Sequence, residues 1–368
     1  MTNESTQKAL AAVFTGPGRP LSFEQLALPR LAPGEVLVQM RACTLCGSDL
    51  HTYVGDRETP TPTILGHEIL GEIAAIGDGR APLDHAGNAL GIGDRITWSI
   101  AASCGACFFC RHEIPQKCEH LFKYGHEAME PPHLLSGGLA EYCQLAPGTA
   151  MVRIPETVPD RVACPVNCAT ATVAAAVRVG LAGHEADSVL VQGVGMLGLT
   201  ACAMLRSRGA RMVIAADKDQ SRLALAKKFG ADHLIEVGAQ ATSEVVADLT
   251  GGRGVDLALE MSGAPAAVAG GLSVLRIGGR QVLVGTVFPT DPVSIQPEAL
   301  VRNLLSVHGV HNYTPVDLAA AVAFLEEHHD TFPFESLVEG AYPLPEAERA
   351  FEDALQSRAP RILVTARQ

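Results

Sequence analysis

The residues whose types and spacing could do chemistry fall into three groups. Cys104, Cys107, Cys110 and Cys118 stand in a C-x2-C-x2-C-x7-C pattern. Four thiols this close suit tetrahedral Zn²⁺ in a closed site, a staple for a loop with little core of its own. The competing readings are two disulfides or a chance cluster. Met1–Lys8 is polar and lacks the basic-then-apolar pattern of a secretory leader, so a reducing cytoplasm is expected and disulfides are disfavoured among the ten cysteines. The second group is dispersed: Cys46 in Cys46-Gly47-Ser48-Asp49-Leu50-His51, His67 in Gly66-His67-Glu68, and Cys168. Taken singly, such residues are more often core. Together, one imidazole and two thiolates would hold zinc with a fourth position open to water or substrate. The third is a G-x-G-x-x-G turn, Gly193, Gly195 and Gly198, followed about 20 residues later by Asp217.

Each group needs elements to hold it. Val189–Val191 and Met212–Ala216 are apolar runs suited to strands buried on both faces, and the glycines open the helix between them. In such a unit Gly193 permits the tight turn, Gly195 lets backbone approach a pyrophosphate, and Gly198 lets helix and strand pack closely. The helix start favours phosphate through its free N–H groups and dipole. Asp217 would accept from ribose hydroxyls and repel a 2′-phosphate, so NAD is expected over NADP. From Ala169 onward strands and helices alternate, with further strands at Asp256–Met261 and Gln281–Gly285 and a helix at Ser221–Phe229, as in a doubly wound parallel sheet. Residues 9 to about 155 read as β-rich, with runs at Val36–Met40, Ile69–Ile76 and Ile96–Ile100 and a polar surface loop over Gly77–Gly93. The tail holds helices at Val316–Glu327 and Leu344–Gln356 and a last strand, Ile362–Thr365, expected to rejoin the first domain.

Composition excludes some partners. With 28 Lys plus Arg against 40 Asp plus Glu, a net charge of −12 argues against nucleic acid or an anionic membrane. The most apolar stretch, Val162–Gly183, is Ala-rich and broken by Asn167 and Arg178, so no membrane span is expected.

Over nearly its whole length the chain resembles the zinc-dependent medium-chain alcohol dehydrogenases, whose Cys₂His site is the known example of that ligand set. The resemblance rests on Cys46 in its C-G-x-D/S-like segment, His67 in G-H-E, Cys168 before the nucleotide domain, and the four-cysteine lobe. It implies an α/β fold: a β-rich GroES-like catalytic domain (1–168), a Rossmann NAD-binding domain (169–311), and a C-terminal return to the first (312–368). Thr172 and Leu197 would line the nicotinamide, Arg222 would flank the adenosine ribose, and Arg361 would reach the pyrophosphate. A homodimer or homotetramer is implied by the resemblance alone.

The expected chemistry is interconversion of an alcohol with an aldehyde or ketone. Zinc with two thiolates is formally neutral and can stabilise an alkoxide before hydride leaves. Ser48 can take the alcohol proton and pass it through the nicotinamide ribose to His51, an imidazole able to exchange with water near neutrality. Asp49 would orient His67, and Glu68 would buffer the metal from behind. Phe122-Lys123-Tyr124-Gly125-His126 and Pro165–Thr172 are similar to a bacterial subgroup associated with phosphonate catabolism. A hydroxyphosphonate substrate would need Lys or Arg in the cleft, with Lys123, Arg57 and Arg302 as candidates. The rival substrate is a hydrophobic secondary alcohol, such as a terpenoid, in an apolar pocket. Two other functions compete: a zinc-free quinone or enoyl reductase, opposed by the intact Cys46/His67/Cys168 set, and a non-catalytic NAD-binding structural protein, opposed by Ser48 and His51 beside those ligands.

Overall fold

A computed structural model describes residues 7–79, 81–183, 185–357 and 359–366. The residues before Gln7, part of the stretch read for a leader, lie outside them. The chain divides into two compact units: Met1–Cys168 with Thr314–His329 and Phe334–Gln368, and Ala169–Tyr313 with Asp330–Pro333.

The first unit is built on a seven-stranded sheet whose central strand, Val36–Leu45, is buried at most positions. Glu68–Ile76 pairs antiparallel with it, and so does the last strand, Arg361–Thr365. The register sets Ile362 opposite Leu45, so Arg361 comes level with Cys46. A smaller sheet pairs Lys8–Phe14 with Ser22–Ala27 and Thr63–Ile64. The apolar faces meet in a core that includes Phe14, Ile69, Trp98, Tyr124 and Phe351, each at most 2% exposed. Within it the Trp98 and Tyr124 rings meet edge to face at 6.3 Å.

The second unit carries a six-stranded parallel sheet. Its spatial order is His233–Glu236, Met212–Asp217, Ser188–Gln192, Val255–Glu260, Leu275–Leu283, Ser306–Gly309. This is the doubly wound order 3-2-1-4-5-6, with its switch point between Ser188–Gln192 and Val255–Glu260. Val189–Val191 are 0% exposed, which explains their unbroken apolar character. The two outer strands were not anticipated from the pattern: they are short, half-exposed and carry His233, Glu236, Ser306 and His308, so no apolar run marks them. Helix Gln220–Lys228 starts where the Asp219 carboxylate accepts from the Ser221 N–H at 2.8 Å. Among the described residues no single helix is long and apolar enough to cross a membrane.

Candidate active site

The lobe cysteines are drawn together by a four-residue helix, Phe108–Arg111, and a following 3₁₀ turn, Pro115–Lys117. Their sulfurs all lie within 4.8 Å of one another. Cys107 is 3.5 Å from Cys110 and 3.8 Å from Cys118, and Cys104 is 4.0 Å from Cys110. A tetrahedron with Zn–S bonds of about 2.3 Å has edges of about 3.8 Å, so the donor set fits zinc, whereas a disulfide would bring two sulfurs to about 2 Å. Backbone N–H groups of Cys104, Cys107 and His120 donate to these sulfurs at 3.3 Å, which favours thiolates. The Cys110 backbone, with that of Glu119, holds the Cys107 thiol down to about 6, while desolvation and neighbouring sulfurs push Cys110 up to about 12.

The dispersed set also converges. Cys46, His67, Glu68 and Cys168 present ligand atoms within 4.8 Å of one another. Cys46 precedes the helix Gly47–Val54, whose first turn brings Ser48 and Asp49 back toward it. The 1%-exposed Asp49 carboxylate accepts from the Cys46 N–H at 3.0 Å and the Gly66 N–H at 3.2 Å, and lies 3.1 Å from His67 Nδ1. It therefore fixes two ligand-bearing segments and turns Nε2 of His67 toward the sulfurs. Burial disfavours a charged His67 ring, yet Asp49 outweighs it and lifts the ring to about 10. The hydrogen bond from Cys168, and then Arg361, bring the Cys46 thiol well below its ordinary value. Soft sulfurs, one of them with its thiolate form favoured, and an oriented imidazole are what Zn²⁺ requires. Ser48 Oγ sits 3.3 Å from His67 Nε2. His51, one helical turn further on, is exposed, and its Nδ1 lies 3.2 Å from Asp56.

Glu68 is 0% exposed and accepts from Arg361 Nε at 2.6 Å, Arg361 Nη2 at 2.7 Å and Thr44 Oγ1 at 2.7 Å. Burial pushes its carboxyl up to about 7 against the pull of Arg361. Arg361, which the resemblance would have reach the pyrophosphate, is the ion-pair partner of Glu68. Its guanidinium is buried behind the ligands, bonded to Glu68, to the Pro360 carbonyl and, at 3.4 Å, to Cys46 Sγ. The strand register that sets it level with Cys46 is the cause.

Asn167, which the sequence shows only as a break in an apolar stretch, belongs to this site. Asn167 donates to the carbonyls of His67 at 2.9 Å and Trp98 at 3.0 Å, and accepts from the Ile69 N–H at 3.1 Å, clamping the strand behind His67. The His126 ring lies 5.1 Å from that of His67. Its segment, Lys123–His126, is pressed onto the metal-ligand loop: a Cβ at Gly125 would meet the Gly66 carbonyl oxygen at 2.7 Å. The buried Tyr124 hydroxyl anchors the segment, 2.6 Å from Thr149 Oγ1 and accepting from the Ala146 N–H at 2.9 Å. Half-buried Lys123 is destabilised as a cation by burial and then by Arg57, and lies within electrostatic reach of the Cys168 and Cys46 thiols. Arg302, by contrast, is on the second unit's surface, paired with Glu298 at 3.3 Å.

In the second unit the glycine turn has the cradle a dinucleotide needs. Gly193 adopts φ 85°, and a Cβ there would strike the Ser262 backbone at 2.8 Å. A Cβ at Gly198 would lie 2.0 Å from the Gly193 carbonyl oxygen, so helix and strand touch there. Gly195 alone faces open space, at the start of helix Met196–Ser207. Asp217 accepts from the Val194 N–H at 2.8 Å, tying the second strand's end to the turn. Leu197 is half-buried beside the turn, Thr172 is half-buried in helix Ala169–Leu181, and Arg222 is exposed in the first turn of helix Gln220–Lys228.

Comparison with known proteins agrees with both halves. Residues 32–156 match the alcohol dehydrogenase GroES-like domain, and residues 196–327 match the zinc-binding dehydrogenase domain. The chain is 31% identical to an L-threonine 3-dehydrogenase of Thermococcus kodakarensis over 312 residues, 83% of either chain. It is 30% identical to a sorbitol dehydrogenase of Halalkalibacterium halodurans over 362 residues, 97% of this chain and 99% of that one. An alcohol dehydrogenase structure from Thermotoga maritima superposes with a TM-score of 0.90 at 28% identity, covering 97% of this chain and 99% of that one. The chain belongs to the zinc-dependent medium-chain alcohol dehydrogenase family. It is an oxidoreductase with zinc and a nicotinamide dinucleotide as cofactors.

Proposed function

We propose that this enzyme oxidises, with NAD, a small alcohol that carries an anionic group, a hydroxyphosphonate being the leading candidate. The carrying observation is half-buried Lys123, which lies within electrostatic reach of the Cys168 and Cys46 thiols and of a second half-buried cation, Arg57. Among the described residues no ion pair is formed by either side chain, and two like charges drawn together in a partly desolvated place favour an anion between them. Zinc, when bound, supplies a Lewis acid that lowers the alcohol's pKa, and NAD accepts the hydride. The remaining work belongs to this chain's residues. Asp49 holds His67 in one orientation, and Arg361 neutralises Glu68 behind the ligands. The Ser48 hydroxyl, placed at His67 Nε2, takes the alcohol proton, and His51 with Asp56 releases it to solvent. The balance is alcohol plus NAD⁺ to carbonyl, NADH and one proton. Asp217 at the end of the second strand favours NAD over NADP.

A second reading has a specific basis, because one relative is an L-threonine 3-dehydrogenase and threonine carries a carboxylate that the same cations would meet. The test is NADH formation from hydroxyalkylphosphonates, their neutral dialkyl esters, L-threonine, sorbitol and a hydrophobic secondary alcohol. The expected result is a kcat/KM at least about 10-fold higher for a phosphonate than for its ester, a difference of about 1.4 kcal/mol, lost in Lys123→Met. Preference for threonine would assign the cations to a carboxylate. Preference for the ester or the secondary alcohol would contradict the anionic reading.

A further inference from the structure

Glu260 ends the fourth strand of the parallel sheet and is 0% exposed. No ion pair holds it among the described residues. Instead its Oε1 accepts from the Ser262 N–H at 2.6 Å, the Ser262 hydroxyl at 2.8 Å and the Gly263 N–H at 2.6 Å. Its Oε2 accepts from the Thr286 hydroxyl at 2.9 Å. A charge desolvated this completely is costly, and apolar packing would hold a strand end more cheaply, so the carboxylate calls for a reason beyond stability.

Its place supplies one. The switch point of a doubly wound sheet, beyond the carboxyl ends of the strands where their order reverses, is where such folds bind dinucleotides. Here the flanking turns follow Ser188–Gln192 and Val255–Glu260, and they touch: a Cβ on Gly193 would lie 2.7 to 2.8 Å from Ser262 atoms. The third turn, after Leu275–Leu283, is equally close, since a Cβ on Gly285 would meet the Gly263 nitrogen at 2.4 Å. Backbone bonds from Met261 N–H to the Gln192 carbonyl (2.8 Å) and from Gly285 N–H to the Glu260 carbonyl (3.0 Å) join their bases. The Glu260 side chain joins their tips, one oxygen on Ser262 and Gly263 and the other on Thr286.

We infer that Glu260 is a positioning residue for the dinucleotide: by clamping the Ser262–Gly263 and Thr286 turns it holds the Gly193 turn, packed against Ser262, in its binding shape. Without the clamp the turns exchange among shapes of which few bind, and apparent affinity falls by the fraction lost.

The test uses the zinc-loaded full-length enzyme and NADH titration by fluorescence, with melting temperature, zinc content and steady-state kinetics in parallel. Glu260→Ala is expected to raise the NADH Kd and the KM for NAD about 10-fold, with kcat at saturating NAD within about two-fold of wild type and zinc unchanged. Glu260→Gln, which keeps an acceptor toward Ser262 and Gly263, should recover most of the affinity. Should Glu260→Ala fail to fold, Thr286→Val removes one clamp bond at a half-buried position and is expected to raise Kd about three-fold. Folded variants that melt lower but bind NADH like wild type would overturn the inference and leave Glu260 a purely structural group. A Gly195→Ala control separates this from the placing of the site: if that variant also binds NADH normally, the crevice itself is misplaced.

Discussion

The glycine turn makes opposite demands at two of its positions, and substitution by alanine should separate them. At Gly198 an added Cβ would sit 2.0 Å from the Gly193 carbonyl oxygen, more than an ångström inside ordinary contact, and the obstacle is backbone. Overpacking typically costs about 1–3 kcal/mol, and a backbone clash belongs at or above the top of that range. For a unit of this size that is a fall in melting temperature on the order of 10 °C. At Gly195 the same methyl meets nothing within 4 Å, and the residue's φ of −75° is open to alanine. Its fold should be unharmed or stabilised by about 0.4–1 kcal/mol through the unfolded chain. What Gly195→Ala removes is close approach of a phosphate to the helix start. Losing a charged hydrogen bond there, about 1.5–3 kcal/mol, corresponds to about 10- to 150-fold in NADH affinity. Thermal melting and NADH fluorescence titration of both variants are the assays. A Gly195→Ala protein that binds NADH normally, or a Gly198→Ala protein that melts like wild type, would refute the reasoning.

Other perturbations follow from the same geometry. Ser48→Ala should lower turnover by about 10²–10⁴, whereas His51→Gln should cost less, worst at low pH and partly restored by imidazole buffer; a pH–rate series with zinc content checked decides, and equal pH-independent losses would speak against the relay. Cys107→Ser should lower melting temperature and zinc content together, while Cys46→Ser should abolish turnover and largely spare the fold, read by metal analysis and melting; an active Cys46→Ser enzyme would remove the second site from the chemistry. Asp256 accepts from the Ser188 N–H at 2.8 Å and meets Arg276 at 2.5 Å, and although burial opposes it these contacts hold its pKa below the ordinary value. A depressed folded pKa contributes stability above the unfolded pKa, about 3.9, that is lost as pH falls through the folded value. Asp256→Asn should therefore melt lower than wild type at pH 7, the gap closing below about pH 4; a gap independent of pH would contradict the assignment.

What could be read from the sequence was what lies close in the chain. The four-cysteine lobe, the G-H-E triplet and the glycine turn each fit in a short window, and the period of buried strands marks the sheet around Val189–Val191. Of the contacts between distant segments, the Cys46, His67 and Cys168 set was legible, through the ligand types and the resemblance, and the others were not. Lys123 lies within electrostatic reach of the Cys46 and Cys168 thiols, in a segment that packs on Gly66 through Gly125, and nothing local says so. The ion pair of Arg361 with Glu68 was not foreseen, because it depends on the antiparallel register of the last strand with Val36–Leu45. Asn167 looked like an interruption of an apolar stretch, and it is the clamp behind His67. Glu260 carries no motif at all, since its partners are backbone N–H groups and hydroxyls of turns.

The most direct test of the central claim is to follow the transferred hydrogen. Zinc-loaded enzyme is mixed with NAD and a hydroxyalkylphosphonate deuterated at its carbinol carbon, and the NADH formed is analysed by mass spectrometry and NMR. The account predicts one deuterium at C4 of the nicotinamide per carbonyl formed, and no turnover in Cys46→Ser protein that is still folded. NADH carrying solvent hydrogen, or undiminished turnover in that variant, would contradict it.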